Sequence, residues 1–332
     1  MAASFGLCAQ VFAQRDPAYA GRCLEAGQAL FDQADTHPRG PLLTVLPRAY
    51  YPATEWRADL ELGAIELSLG TAAIGSSTNG LPHPDPNYYV QVAGDWANAY
   101  MSDPRTGQDS FNLYDVSTLS DADLIRALRT PQTQQYFLHG PGDIPTDVPS
   151  ILTDRHDQLA LADGLAGRDP FGLADPASPA DTVAHALGYS IQARLYDDLR
   201  GGSTFERLSQ QQLGWTLGAN PWGSSFVVGA GSVFPRCLAN QIPNLSGSLT
   251  GRGQILRGAV VQGPTLLGNL TDLGAPDGYR ACPRHHQPDP YRAQAGQGMG
   301  YLDDVRSSAS SEASDDDAAL ALLAAAQQAA ER

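Results

Sequence analysis

Residues 56–69 read Trp56-Arg-Ala-Asp-Leu-Glu-Leu-Gly-Ala-Ile-Glu-Leu-Ser-Leu69, and Leu60, Leu62, Ala64, Ile65, Leu67 and Leu69 spread over a broad face at helical spacing. A face that wide is buried against other helices, and the chain supplies them in series. Upstream, residues 3–13 are rich in Ala and apolar side chains. Asp16-Pro17 then caps a second helix with Tyr19, Cys23, Leu24, Ala26, Leu30 and Phe31 in phase. A Pro/Gly-rich connection occupies residues 37–46. Downstream, residues 87–101 carry the aromatic stripe Tyr88, Tyr89, Val92, Trp96 and Tyr100, and residues 121–129 follow a Ser120 cap. Residues 147–165, 181–199 and 204–217 are helical. The tail, 315–332, opens with Asp residues that complement a helix dipole. Strand-like runs are confined to 225–228 and 258–261, and 220–295 is loop-rich. No composition break marks a boundary, so the pattern predicts one all-α domain over residues 1–332, built of paired helices as a toroid or a bundle.

The 332 residues carry 21 Lys+Arg and 36 Asp+Glu, for a net charge of −15, and every one of the 21 cations is Arg. Nucleic acid and anionic membrane both need a basic footprint, so neither is an expected partner. The apolar run 318–326 is about half of the ~20 residues a membrane-spanning helix needs, and the N-terminus has no basic segment leading into a long apolar stretch. Cys8, Cys23, Cys237 and Cys282 are too few and scattered for a disulfide scaffold. Cys8 and Cys23 share one helical hairpin, where a bond and two buried thiols are equally compatible. Cys282-Pro-Arg-His285-His286 gathers metal-ligand types, but no second cluster answers it, and it reads as a polar loop. No G-x-S-x-G elbow, Walker loop or G-x-G-x-x-G occurs. Carboxylates remain. Glu occurs seven times, and Glu312 stands in a loop of small residues before the final helix. There it is either a charge at a helix start or a glutamic acid delivering a proton to a leaving oxygen.

The order of three motifs bears on that choice. Leu217-Gly-Ala-Asn-Pro-Trp-Gly-Ser-Ser-Phe-Val-Val-Gly-Ala-Gly231 resembles the L-G-x-N-P-x-G-x-S-[FY]-V-x-G stretch of glycoside hydrolase family 9, the inverting endoglucanases and related cellulases. Gly258-Ala-Val-Val-Gln-Gly-Pro264 resembles its G-A-L-V-G-G-P segment. Tyr301, Asp303 and Glu312 follow its second pattern, in which an aromatic precedes an Asp by two and a Glu follows that Asp by nine, with Ser314 and Ala319 also fitting. Residues 56–69 and Phe111-Asn-Leu-Tyr-Asp-Val-Ser117 resemble helices and loops from the middle of the same catalytic domain, particularly of bacterial members.

The resemblance implies an (α/α)6 barrel, incomplete at its N-terminus, with an open cleft for a β-1,4-glucan. It makes Glu312 the general acid, with Asp303 orienting it or holding its charge state. Trp222, Arg236 and Tyr301 fall at substrate-binding positions. Trp222 is expected to be exposed as a sugar-stacking platform, and Trp56 and Trp96 to be core. Inversion also needs a base that activates water. The family takes it from a D-A-G-D motif absent from this sequence; Ala93-Gly94-Asp95 copies three of its letters, inside an amphipathic helix. The implied expectation is little turnover by these residues alone, with a glucan-binding member that does not cut as the alternative. The family's His after the first motif is missing from Phe234-Pro-Arg236-Cys237, Ser308 replaces an aromatic and Ala318 an Asn. Many members bind calcium; Asp59 and Asp115 fall near those ligand positions, but Ala58 replaces a carboxylate. No other cofactor is implied. The expected partner is a β-glucan polysaccharide or oligosaccharide, with a monomeric chain and a secreted parent protein.

Overall fold

The structure is a computed structural model describing residues 1–39, 42, 55–75, 80–107, 109–139, 146–175, 181–239, 255–271, 273, 282, 290–294 and 298–330. The described chain is mostly helical and divides into two compact units, Met1–Asp157 and Gln158–Arg332.

The first unit is built around the helix quoted above. α1 (Ala2–Phe12) and α2 (Pro17–Phe31) form a hairpin, with Asp16 accepting a hydrogen bond from Tyr19 N at 2.9 Å at the head of α2. α3 (Arg57–Ile74) runs five residues past its expected end and stops at Gly75, which takes φ 55°. It packs against α1, α2, α4 (Pro86–Met101) and α5 (Ser117–Leu128), so its wide face has neighbours all round. Gly6 of α1 touches the backbone of α3: a Cβ there would lie 2.3 Å from Glu66 O. Ala93-Gly94-Asp95 lies inside α4, as expected. α5 begins ahead of its predicted start at residue 121. Asp115 Oδ1 accepts from both N and Oγ of Ser117 and starts the helix there, while the expected cap Ser120 is internal and donates to Ser117 O. α6 (Pro131–His139) was not anticipated; Thr133 is its one fully buried residue, so no apolar stripe announces it. α7 (Val148–Ala166) runs from the first unit into the second.

In the second unit α8 (Thr182–Arg200) packs against α9 (Glu206–Thr216) and the last helix, α11 (Asp315–Ala329), which Ser314 caps. A one-turn helix, α10 (Ser308–Ser311), precedes it. The expected strands at 225–228 and 258–261 meet through an isolated bridge, Val227 to Val260. The only two-stranded ladder among the described residues is β1 (Thr265–Leu266) antiparallel to β2 (Met299–Gly300).

Both cysteine pairs are bonded. Cys8–Cys23 ties α1 to α2, and Cys237–Cys282 joins two loops of the second unit. Cys282 is therefore not a thiol ligand, and His285 and His286 lie outside the described residues, as does most of the 37–46 connection. Among the described residues, no helix is long and apolar enough to cross a membrane.

Candidate active site

The three motif segments, far apart in sequence, are laced side by side. Asn220 organises the first: its Nδ2 donates to Trp215 O (2.7 Å) and Ser224 O (2.9 Å), and its Oδ1 accepts from Trp222 N (3.1 Å). The turn so closed lays 226–228 along 258–261, with Val228 N donating to Ala259 O (2.8 Å) and Val261 N to Phe226 O (3.2 Å). The other edge of 258–264 meets the third segment, where Gln262 N donates to Glu312 O (3.0 Å) and Gly263 N to Ser310 O (3.1 Å). Gly263 is required by the approach of α8: at φ 87°, a Cβ would sit 2.4 Å from Val183 Cγ2.

This packing sorts the sequence-predicted residues into two groups. Glu312 and Arg236 are exposed, and the Arg236 guanidinium stacks over Phe234 at 4.2 Å. Trp222, Tyr301 and Asp303 are buried. Trp222, expected as an exposed platform, is only 7% accessible: the Asn220 turn folds its ring edge-on to Trp215 and against Phe226. Tyr301 packs between Phe226 and Tyr291, each ring centroid 5.1 Å away, so its ring face is taken by protein. Asp303 faces the loop carrying Arg236. It accepts from Arg236 N (2.8 and 3.0 Å) and from Cys237 N (2.8 Å). The same loop reaches the donor segment through Ala239 N to Ser311 O (2.9 Å), and Cys282, bonded to Cys237, accepts from Val305 N (2.9 Å). Asp303 and Glu312 thus border one loop.

Serines shape the donor segment. Ser311 Oγ donates to Asp304 O and Ser307 O, and Ser310 Oγ donates to Leu302 O, closing α10 so that Glu312 follows in extended conformation. The Glu312 carboxyl is raised above the usual range, first by partial desolvation and then by the carboxylates of Asp181 and Asp316. Asp316 belongs to the acidic first turn of α11. Asp181 was not anticipated as a neighbour, because it lies 131 positions away in sequence; its place at the head of a predicted helix was the only signal.

In the first unit, Asp59 is raised to about 6 by desolvation, with repulsion from Glu55 and Asp115 adding to it. Asp115 Oδ2 accepts from Tyr100 OH (2.6 Å) while its Oδ1 serves Ser117. A cavity of about 310 Å³ beside Asp115 is lined by Glu55, Asp103 and Asp109, but also by Arg57 and Arg105, which pair with Asp103. Calcium asks for six to eight oxygens. With Ala58 at one ligand position, Asp115 engaged by hydrogen-bond donors and two guanidiniums in the cavity wall, these residues do not fit it. Among the described residues no three His, Cys, Asp or Glu are grouped to hold a metal. A buried network that sequence reasoning missed lies nearby: Glu61 of α3, Asp121 of α5 and Arg155 of α7, with Arg155 Nε 2.9 Å from Asp121 Oδ2 and Arg155 Nη1 donating to Ser117 Oγ.

Comparisons with known proteins bear on the family and the fold. The family model described as glycosyl hydrolase family 9 matches residues 1–325. Endoglucanase 3 of Oryza sativa subsp. japonica is 25% identical over 320 residues, covering 87% of this chain and 59% of that protein. Among solved structures, the catalytic domain of Clostridium thermocellum CelT superposes with a TM-score of 0.65 at 19% identity, over 98% of this chain and 59% of that one. The cellulase Cel9M of C. cellulolyticum gives 0.60 at 18% identity, over 98% and 62%. The chain spans about three-fifths of the length of each.

Proposed function

The chain belongs to glycosyl hydrolase family 9, whose catalytic domains are (α/α)6 barrels, and on that premise we propose that Glu312 is the proton donor of a β-1,4-glucan hydrolase. The observation that carries this reading is the state of Glu312: a solvent-facing carboxyl at the junction of the three family motifs, desolvated and crowded by like charges in the direction that keeps a proton on it. Protonating the glycosidic oxygen lets the C1–O bond break with the departing sugar leaving as an alcohol, while water adds to C1 from the opposite face and gives its proton to a general base; the family's D-A-G-D base is not in this sequence, so the turnover that these residues supply alone is small. Arg236 is an exposed cation beside the donor segment and supplies hydrogen bonds to sugar hydroxyls. Asp303, Trp222 and Tyr301 support the site from beneath: Asp303 fixes the Arg236 loop through two backbone N–H groups, and the two rings fill the floor. The substrate is cellulose or a soluble β-glucan. The two disulfides, which leave no free cysteine, support action in an oxidising, extracellular setting.

The test is Glu312→Gln, assayed on a soluble β-1,4-glucan and on an aryl cellobioside whose phenolate leaves without a proton. The small turnover of the glucan should fall further by ~10²–10⁴, turnover of the aryl glycoside by much less, and calorimetric binding of cello-oligosaccharides should persist. Equal losses on both substrates would remove Glu312 from the donor role. A wild-type chain that neither binds nor cleaves β-glucan would overturn the substrate assignment.

A further inference from the structure

A proton donor must hold its proton until the substrate takes it, and α8 works against this at Glu312. A helix of 19 residues presents a positive end at its N-terminus, and that end favours a carboxylate over a carboxylic acid nearby. The start of α8 is tied to the donor's own backbone: Val183 N donates to Gln262 O (3.1 Å), and Gln262 N donates to Glu312 O (3.0 Å). Thr182 Oγ1 adds a bond to Pro264 O. At this helix head stands Asp181, with φ 56° and ψ 33°, the one non-glycine residue with positive φ among the described residues. The left-handed region is uncommon for a residue with a side chain, and such strain of ~1–3 kcal/mol persists only where the surroundings impose it. His185 holds Asp181 O from two sides, donating to it from its backbone N (3.0 Å) and its ring Nδ1 (2.8 Å).

The charges around Glu312 come from two helices. Among the described residues, the carboxylates whose charge bears on it are Asp181, just ahead of α8, and Asp316 of α11. Asp317 of α11 is buried and pushed up to about 7, by desolvation first; Asp316 and Asp181 raise it further, against the Ser314 hydrogen bond and His185. Segment 258–264 has no charged side chain. Asp303 is turned to the Arg236 loop, and Asp304 pairs with Arg306 (2.6 Å). We propose that Asp181 is a positioning residue for the proton donor: fixed in the left-handed region at the head of α8, its carboxylate offsets the positive helix end beside Glu312 and holds Glu312 in its acid form. This rests on the reading of Glu312 as donor, and the test separates the two.

The variant is Asp181→Asn. Asn takes the left-handed region as readily as Asp, so the substitution removes the charge and keeps the backbone conformation. The full chain, carrying ¹³C at the glutamate carboxyl, is titrated by NMR; Glu312→Gln identifies the Glu312 resonance among the seven. The Glu312 midpoint should fall by about half a pH unit, the scale of a single charge at a helix terminus. Asp181→Gly, which tolerates positive φ without strain, should lower it similarly. A midpoint that stays or rises in both variants overturns the proposal. If the midpoint falls but the alkaline limb of the β-glucan pH–rate profile does not follow it, Asp181 keeps its role and Glu312 loses that of donor.

Discussion

Glu61→Gln isolates the energetics of the most buried acid among the described residues. Glu61 is fully buried in α3 against Asp121, itself 3% exposed and paired with Arg155. Desolvation first, and then the Asp121 charge, push the Glu61 carboxyl well above its usual range; Asp121 is desolvated too, but the Arg155 guanidinium paired with it favours its ionised form. Two carboxyls facing each other beside one guanidinium hold one proton between them. In the unfolded chain both ionise, Glu61 near 4.5. From about pH 5 upward the native state therefore binds one proton more than the unfolded state, and stability falls by about 1.4 kcal/mol per pH unit until the pair releases it. Gln cannot ionise, and its amide N–H can donate to Asp121 as the acid O–H does. Wild type and variant should be nearly equal in urea unfolding at pH 5. The variant should gain about 1.4 kcal/mol on wild type by pH 6, and at pH 7 about twice that if the pair still holds its proton. Parallel stability curves between pH 5 and 7, or a variant weaker throughout, would refute the shared proton.

Gly6→Ala should cost about 1–3 kcal/mol in urea unfolding, because its Cβ would meet Glu66 O at 2.3 Å where α1 lies on α3; an unchanged midpoint would mean that the two helices are free to separate. Trp222→Ala should cost about 3–5 kcal/mol as a core truncation. A loss of glucan affinity without loss of stability would instead return Trp222 to the role of exposed platform. Melting temperature should be the same in EDTA and in millimolar calcium, since Arg57 and Arg105 serve the acidic groups beside Asp115; a rise with calcium would show that an ion binds there after all.

Helices were legible where apolar spacing is local information. α2, α4 and α8 begin and end within a residue or two of the positions that their caps and stripes give. α6 escaped because Pro-Gln-Thr-Gln-Gln-Tyr-Phe-Leu-His buries almost nothing, and the start of α5 because it is set by an Asp115 side chain outside the helix. The motif order foretold which segments matter but not how they face. Trp222 looks like a loop aromatic until the Asn220 amide folds its turn inward, and Asp181 is joined to Glu312 only by tertiary packing. Glu61 reads as one more polar position on an apolar helix. Its cost is visible only once Asp121 and Arg155, 60 and 94 positions on, arrive beside it.

The Cys237–Cys282 bond closes a covalent ring of chain that includes the whole of segment 258–264. A single proteolytic cut anywhere within that ring leaves the piece bearing Asp303 and Glu312 still attached to the piece bearing α8 and α9. Such a nicked molecule would migrate as one species on a non-reducing gel and as two after reduction, so intactness judged without reductant would overstate the continuity of this chain.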